Sequence, residues 1–193
     1  MAPLHEHGGD GYVVRKWEDR TLILVADALG HGTKAQETTT ILLDLVQATP
    51  PVQLRKLLLG CHHMMRPTRG AAAAFVIIDH QSRTVTYSGI GNIALYHATA
   101  RDGVTASKRM VRGILGYRQI VPTETTFPYQ AGDRLLLFTD GVNTAAAKGR
   151  DVWHPQIQQG AQALLDRYAS GQDDALLLLA EFDASTDIEW TET

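Results

Sequence analysis

The segment Leu22-Ile23-Leu24-Val25-Ala26 is apolar without interruption and stops at a carboxylate, Asp27, ahead of Ala28-Leu29-Gly30-His31-Gly32. A continuous apolar run belongs to a strand covered on both faces, because a strand with one wet face would alternate. Gly30 and Gly32 then allow a sharp turn. Thr33, with Gln36 three residues on, reads as a capping box that opens a helix. The expected order is strand, Asp, glycine turn, helix. A carboxylate at the mouth of a buried strand is costly unless a positive group meets it, and a metal ion is one candidate.

The flanking segments set the fold class. Tyr12 to Trp17 and the run from Leu22 are too close for an intervening helix, so they predict an antiparallel hairpin joined through Glu18-Asp19-Arg20. Beyond Thr33, the residues Thr38, Ile41, Leu42, Leu45 and Val46 recur at helical spacing as far as Pro50-Pro51. Pro51 fits the first turn of a second helix, whose face carries Leu54, Leu57, Leu58, Cys61, Met64 and Met65. From Ala71 the period becomes that of strands, over 71–78, 84–88, 93–97, 110–111, 123–129 and 134–138, with turns at Asp102-Gly103 and Ala131-Gly132-Asp133. A third helix shows Ile157, Ala161, Leu164, Leu165 and Tyr168 on one face, and a last apolar strand runs from Ala175 to Phe182. A meander without crossover helices argues against a doubly wound parallel sheet. The pattern predicts an α+β fold, a four-layer αββα sandwich of two antiparallel sheets flanked by helices. One domain over residues 1–193 is expected, with 184–193 a loose tail.

Composition narrows the function classes. At 193 residues the chain is long enough for one real core, and its 44% hydrophobic and 20% charged residues are ordinary for a globular protein. A net charge of -3 gives no reason to expect nucleic acid or an anionic membrane as partner. Met1 to His7 lacks the basic and apolar regions of a signal peptide, and the lone Cys61 excludes an intrachain disulfide. A cytoplasmic protein is the expectation.

The opening pattern recurs. Leu135-Leu136-Leu137-Phe138-Thr139-Asp140-Gly141 is again an apolar strand ending in Asp. Asp173-Asp174 stands before the run from Ala175, and Asp10 sits within Gly8-Gly9-Asp10-Gly11. Any one of these alone is by default a turn former or helix cap. Carboxylates gathered at one rim would repel each other without a cation, and an all-oxygen set suits magnesium or manganese better than zinc.

These same residues carry a family resemblance. Asp27-Ala28-Leu29-Gly30-His31-Gly32 resembles the Asp-Gly-x-Gly-His-Gly signature of the metal-dependent serine/threonine protein phosphatases of type 2C, in their SpoIIE-like branch. Phe138-Thr139-Asp140-Gly141-Val142 resembles that branch's Thr-Asp-Gly motif, Gly9-Asp10-Gly11 its first Asp, and Asp173-Asp174 its Asp-Asp-x-Thr end. Ser88-Gly89-Ile90-Gly91-Asn92 and Gly113-Ile114-Leu115-Gly116 fall at its glycine landmarks. The likeness follows the whole chain in order. It implies an αββα sandwich and removal of phosphate from serine or threonine with two manganese ions, magnesium being the alternative. By the same resemblance Asp27 bridges the ions, the Ala28 carbonyl binds one, and Asp140 and Asp173 complete the other's shell. Asp10 acts on a metal or through its water. The chain departs from the family pattern where Ala28 replaces a Gly and Leu176 a Thr. Its short length, and Arg69-Gly70-Ala71 before a small-residue strand, are similar to the stand-alone members that reset the stressosome. That likeness implies phosphorylated STAS-domain proteins as substrates and partners, and a monomer.

Rival readings are fewer. A haloacid dehalogenase-like or receiver domain also ends a strand in Asp, but it needs alternating βα units. A phosphatase-like module that binds a STAS scaffold without turnover, or a phosphatase acting on an anti-anti-sigma factor, are the alternatives within the resemblance. His31 reads as a loop former, and His5, Glu6 and His7 as a mobile terminus. Cys61, Met64 and Met65 read as core, and at least one of His62 and His63 as solvent-facing. Arg69 and Lys34 are able to meet a phosphate, with a surface role as the default. Asp174 either supports the metals or is a strand-edge charge.

Overall fold

Around the apolar run from Leu22, a computed structural model of the chain describes residues 5–50, 53–103, 105–183 and 188–192. In chain order its elements are β1 (His5–His7), β2 (Asp10–Trp17), β3 (Arg20–Ala28), α1 (Thr33–Ala48), α2 (Leu54–Met64), β4 (Ala71–Asp79) and β5 (Thr84–Ile90). They continue as β6 (Ala94–Ala98), β7 (Thr105–Lys108), β8 (Thr125–Pro128), β9 (Arg134–Phe138), α3 (Ile157–Tyr168), β10 (Leu177–Phe182) and β11 (Ile188–Glu192). Two 3-10 turns, Thr144–Lys148 and Arg150–Trp153, precede α3. All strand pairs between these elements are antiparallel, so the expected α+β class with two antiparallel sheets holds. The described residues group into two compact units.

The first unit contains the sheet β1-β2-β3-β4-β5-β8 and the helices α1 and α2. Strands β2 and β3 form the expected hairpin, closed at Trp17 opposite Arg20. Alternate residues of the sheet, Val13, Leu22, Leu24, Ala26, Ala73 and Phe75, share a buried cluster with Leu42, Leu43 and Val46 of α1 and Leu57, Leu58 and Cys61 of α2. Each of these leucines, removed from water, contributes roughly 1.5–3 kcal/mol, which is why the helix pair sits on this face. Arg15 of β2 reaches the end of α1, donating from Nη1 to the carbonyls of Val46 at 2.7 Å and Thr49 at 2.5 Å. A cation there meets carbonyls that the helix cannot pair internally.

Several expectations shift in this unit. The N-cap of α1 is Gly32, at φ 74 and with no side-chain cap, so Thr33 and Gln36 form no capping box and Thr33 is the first helical residue. The helix opens from a glycine because the chain must leave β3 through a left-handed turn that a Thr would strain. Ile41 and Met64 are 43% and 54% exposed, whereas Met65 is fully buried. The apolar stripe is therefore narrower than the spacing suggested. Pro51 lies outside the described residues, and α2 starts later, at Leu54. His5–His7, read as a mobile terminus, pairs with β2. Val111 contributes one isolated bridge to Ile90, and no strand forms over 110–111.

The second unit holds the sheet β11-β10-β9-β6-β7 and α3. Leu136, Phe138, Leu177 and Leu179 pack with Val152, Ala161 and Leu164, which places α3 and the 3-10 turns on one face. Its edge strands are the surprises. Strand β7 follows a turn and its sequence, Thr105-Ala106-Ser107-Lys108, has no apolar alternation to announce it. Ile188–Glu192, expected within a loose tail, pairs with Leu178–Phe182 of β10, while 184–187 lie outside the described residues.

Candidate metal centre

Register places Asp10 of β2 directly opposite Asp27 of β3. The next pair, Gly9 and Ala28, is hydrogen bonded, the Ala28 N–H donating to the Gly9 carbonyl at 2.9 Å. Hydrogen-bonded and non-hydrogen-bonded pairs alternate along an antiparallel ladder, so Asp10 and Asp27 form a pair of the second kind, with Cα atoms about 4.5 Å apart. Since Leu22, Leu24 and Ala26 face the helices, Asp27 projects from the opposite face, in line with Ile23 and Val25. Asp10 is only 2% exposed and Asp27 is half-buried. Like charges directly opposite each other destabilise a sheet, and a hard divalent cation is the group that reverses the sign of that interaction. The donors here are all oxygen, so the pair fits magnesium or manganese.

The backbone around the pair is tightly held. The Gly9 carbonyl accepts a second hydrogen bond, from the buried Thr39 hydroxyl of α1. Leu29 N–H donates to the Gly70 carbonyl at 3.0 Å, tying the loop after β3 to the residues before β4. Ala28 is buried, ends β3 and stands opposite Ala71. Among described non-glycine residues only Glu18 and Arg83 have positive φ, so Ala28 lies in ordinary extended backbone and its methyl group is tolerated. Gly30, by contrast, sits at φ +89, and a Cβ there would fall 2.6 Å from Nη1 of Arg69. His31 is exposed in this loop.

The second unit carries the other carboxylates. Asp140 lies two residues past the end of β9 and is exposed. Thr139 closes that end of the β9–β10 pair: its N–H donates to the Leu176 carbonyl at 3.1 Å and its hydroxyl accepts from the Leu176 N–H at 3.0 Å. A Cβ on Gly141 would meet the Asp174 carbonyl oxygen at 1.9 Å, so the Asp140–Gly141 backbone is pressed against the segment that follows Asp173. Asp173 is exposed and its Oδ1 accepts the Asp174 N–H at 2.9 Å; Asp174 is half-buried. Asp140 and Asp173 therefore share one end of this sheet, as Asp10 and Asp27 share one end of the other. Among the described residues no three or more His, Cys, Asp or Glu side chains form a ready metal-binding group.

Three features of the first unit were not legible in the sequence. One is the Thr39 hydroxyl on Gly9, another the Arg69 guanidinium on Gly30. The third is His62, whose Nδ1 accepts the Gly116 N–H at 3.0 Å and whose Nε2 is buried without a partner among described residues. Burial, then the charges of Arg66 and His63, hold the His62 imidazole below its ordinary pKa. His63 is exposed, and burial pushes the Cys61 thiol up to about 12, consistent with a core residue and not a nucleophile. In the sequence, Gly70 and Gly116 were the available signal, since each marks a close backbone approach, to the carbonyls of Leu115 and Met65.

Comparison with known proteins gives a consistent result. The family model for Stage II sporulation protein E (SpoIIE) matches residues 18–187. Phosphoserine phosphatase RsbX of Bacillus subtilis (strain 168) is 24% identical over 174 residues, covering 90% of this chain and 86% of that protein. The crystal structure of RsbX in complex with magnesium superposes with a TM-score of 0.78 at 21% identity, over 93% of this chain and 98% of that one. A structure from work on the bacterial stressosome, as a modular system adapted to control secondary messenger signalling, gives a TM-score of 0.77 at 23% identity, over 90% of each chain.

Proposed function

Because the chain belongs to the SpoIIE family, we propose that it is a metal-dependent phosphoserine/phosphothreonine protein phosphatase of the RsbX kind. Its substrates on this reading are phosphorylated STAS-domain proteins of a stressosome, and its place is the cytoplasm, where it works as a monomer to reset a stress signal. The observation that supports it most is the cross-strand pair Asp10–Asp27, a like-charge arrangement with Asp10 buried and Asp27 half-buried, which a divalent cation stabilises.

The proposed ligands are the carboxylates of Asp27, Asp140, Asp173 and Asp10, with the Ala28 carbonyl. Two manganese ions are the proposed cofactors, magnesium the alternative. When bound, such ions supply a Lewis acid and an activated water for direct attack on phosphorus, with no phosphoenzyme. The chain's own residues do the rest by orientation. Gly9, fixed by Ala28 N–H and the Thr39 hydroxyl, sets the direction of Asp10. Thr139, locked to Leu176, sets that of Asp140. Carboxylates placed in advance lose little freedom on binding a cation, which favours catalysis by a fixed electrostatic frame.

The test is phosphate release from a phosphorylated STAS-domain protein, in manganese and in EDTA. Release in manganese that EDTA abolishes supports the reading. Binding of the phosphoprotein without any metal-dependent release would leave a docking module in its place.

A further inference from the structure

We propose that Arg69 is the anchor for the phosphate oxygens of the substrate, next to the Asp10–Asp27 pair. The inference rests on the phosphatase reading and adds to it the group that receives the dianion.

Position comes first. Arg69 precedes Gly70, whose carbonyl holds the Leu29 N–H at 3.0 Å, and Ala71 stands opposite Ala28. The same segment is fixed from its other side, where Ala71 and Leu115 exchange hydrogen bonds of 3.3 and 2.8 Å. Arg69 therefore projects from backbone whose place relative to Asp27 is set by the sheet itself. Fit comes second. The guanidinium lies along the loop that follows Asp27, with Nη1 where a Cβ of residue 30 would clash at 2.6 Å. Glycine at position 30 leaves that space open.

The third observation is what the guanidinium does not do. Arg15 spends its Nη1 on α1, Arg20 pairs with Asp79 at 3.1 Å, and Arg134 is committed to Glu181 and the Val152 carbonyl. Arg69 is exposed, and among the described residues no hydrogen bond, ion pair or ring contact engages it. The guanidinium lies at Gly30, three residues past Asp27, with its planar fork of donors free. That fork matches a phosphomonoester dianion bidentately, as a lysine in its place would not. With the backbone already fixed, little ordering is needed when the anion arrives.

The experiment compares the intact chain with Arg69→Ala, Arg69→Gln and Arg69→Lys. One arm measures turnover of a phosphoserine peptide in manganese; the other titrates inorganic phosphate calorimetrically in magnesium. Arg69→Ala and Arg69→Gln should raise KM about 10- to 100-fold with kcat within about threefold, and weaken phosphate by a similar factor. Arg69→Lys should recover part of both losses. The residue is exposed, so none of these changes removes buried packing. Unchanged KM and phosphate affinity in Arg69→Ala, a loss confined to kcat, or no phosphate binding by the parent chain overturns the assignment. Hydrolysis that survives with phosphate binding indifferent to Arg69 retains the phosphatase and removes the anchor. Arg69-dependent phosphate binding without turnover in any variant does the reverse.

Discussion

Replacing Asp27 by Asn should make the metal-free chain more stable while removing its response to metal. Asp10 and Asp27 face each other as a non-hydrogen-bonded cross-strand pair, one of them 2% exposed. Two unit charges about 5 Å apart at an effective dielectric constant near 20 repel by roughly 3 kcal/mol, and the half-exposed position of Asp27 reduces this to about 1–2. Asn keeps the shape and one acceptor and removes that repulsion. For a chain of this size each kcal/mol moves the melting temperature by about 2–4 °C, so Asp27→Asn should melt roughly 2–8 °C above the parent in EDTA. In manganese the parent should rise, because a ligand of the folded state adds stability, and the variant should stay near its EDTA value. Differential scanning calorimetry of both proteins in both conditions reads all four numbers. A variant that melts below the parent in EDTA, or that gains as much from manganese, would refute the like-charge argument.

Asp140→Asn should cut phosphate release at least about 100-fold with an unchanged circular dichroism spectrum, since its carboxylate is exposed and holds no core together. Gly141→Ala should cost about 1–3 kcal/mol in urea unfolding, because the new methyl falls 1.9 Å from the Asp174 carbonyl and the backbone must yield. Burial holds the His97 imidazole below its ordinary pKa, with the hydrogen bond and charge of Asp133 only partly opposing this. The folded chain thus binds that proton less readily than the unfolded one. The resulting stability is present in full above the unfolded value and is lost as pH falls through the window below about 6.5, with His62 acting in the same direction. A His97→Gln variant should show a shallower fall of melting temperature with pH over that window.

What could be read from residues alone was whatever depends on uninterrupted or strictly periodic burial. Arg134–Phe138 and Ile157–Tyr168 fall where the apolar pattern put them, because Leu135, Leu136 and Leu137 admit no wet face and Ile157, Ala161 and Leu164 no other period. The hairpin and Asp27 followed from the same logic. Position on a stripe was less legible: Ile41 and Met64 satisfy helical spacing, yet sit at the stripe's edge and face solvent. Edge strands β7 and β11 are fixed by ladder hydrogen bonds to one neighbour, so their sequences need carry no alternation. The N-cap at Gly32 was hidden because the Thr33–Gln36 spacing suggested a capping box, whereas the left-handed turn between β3 and α1 requires a glycine. Of the candidate site, the four carboxylates were visible as strand ends, while the Asp10–Asp27 opposition depended on a register that only the tertiary pairing fixes.

That register has a consequence for how the protein tolerates change. Side chains alternate across a strand, so slipping β2 against β3 by one residue would turn one carboxylate toward Leu42 and Leu58 and leave the other without its counterpart. The leucines beneath the helices therefore act as a ruler for the charges on the far face. Core substitutions such as Leu24→Ala, remote from any carboxylate, are expected to blur cation affinity before they unfold the chain. Selection on the alignment of these two carboxylates is, in this architecture, selection on the packing of the opposite side of the sheet.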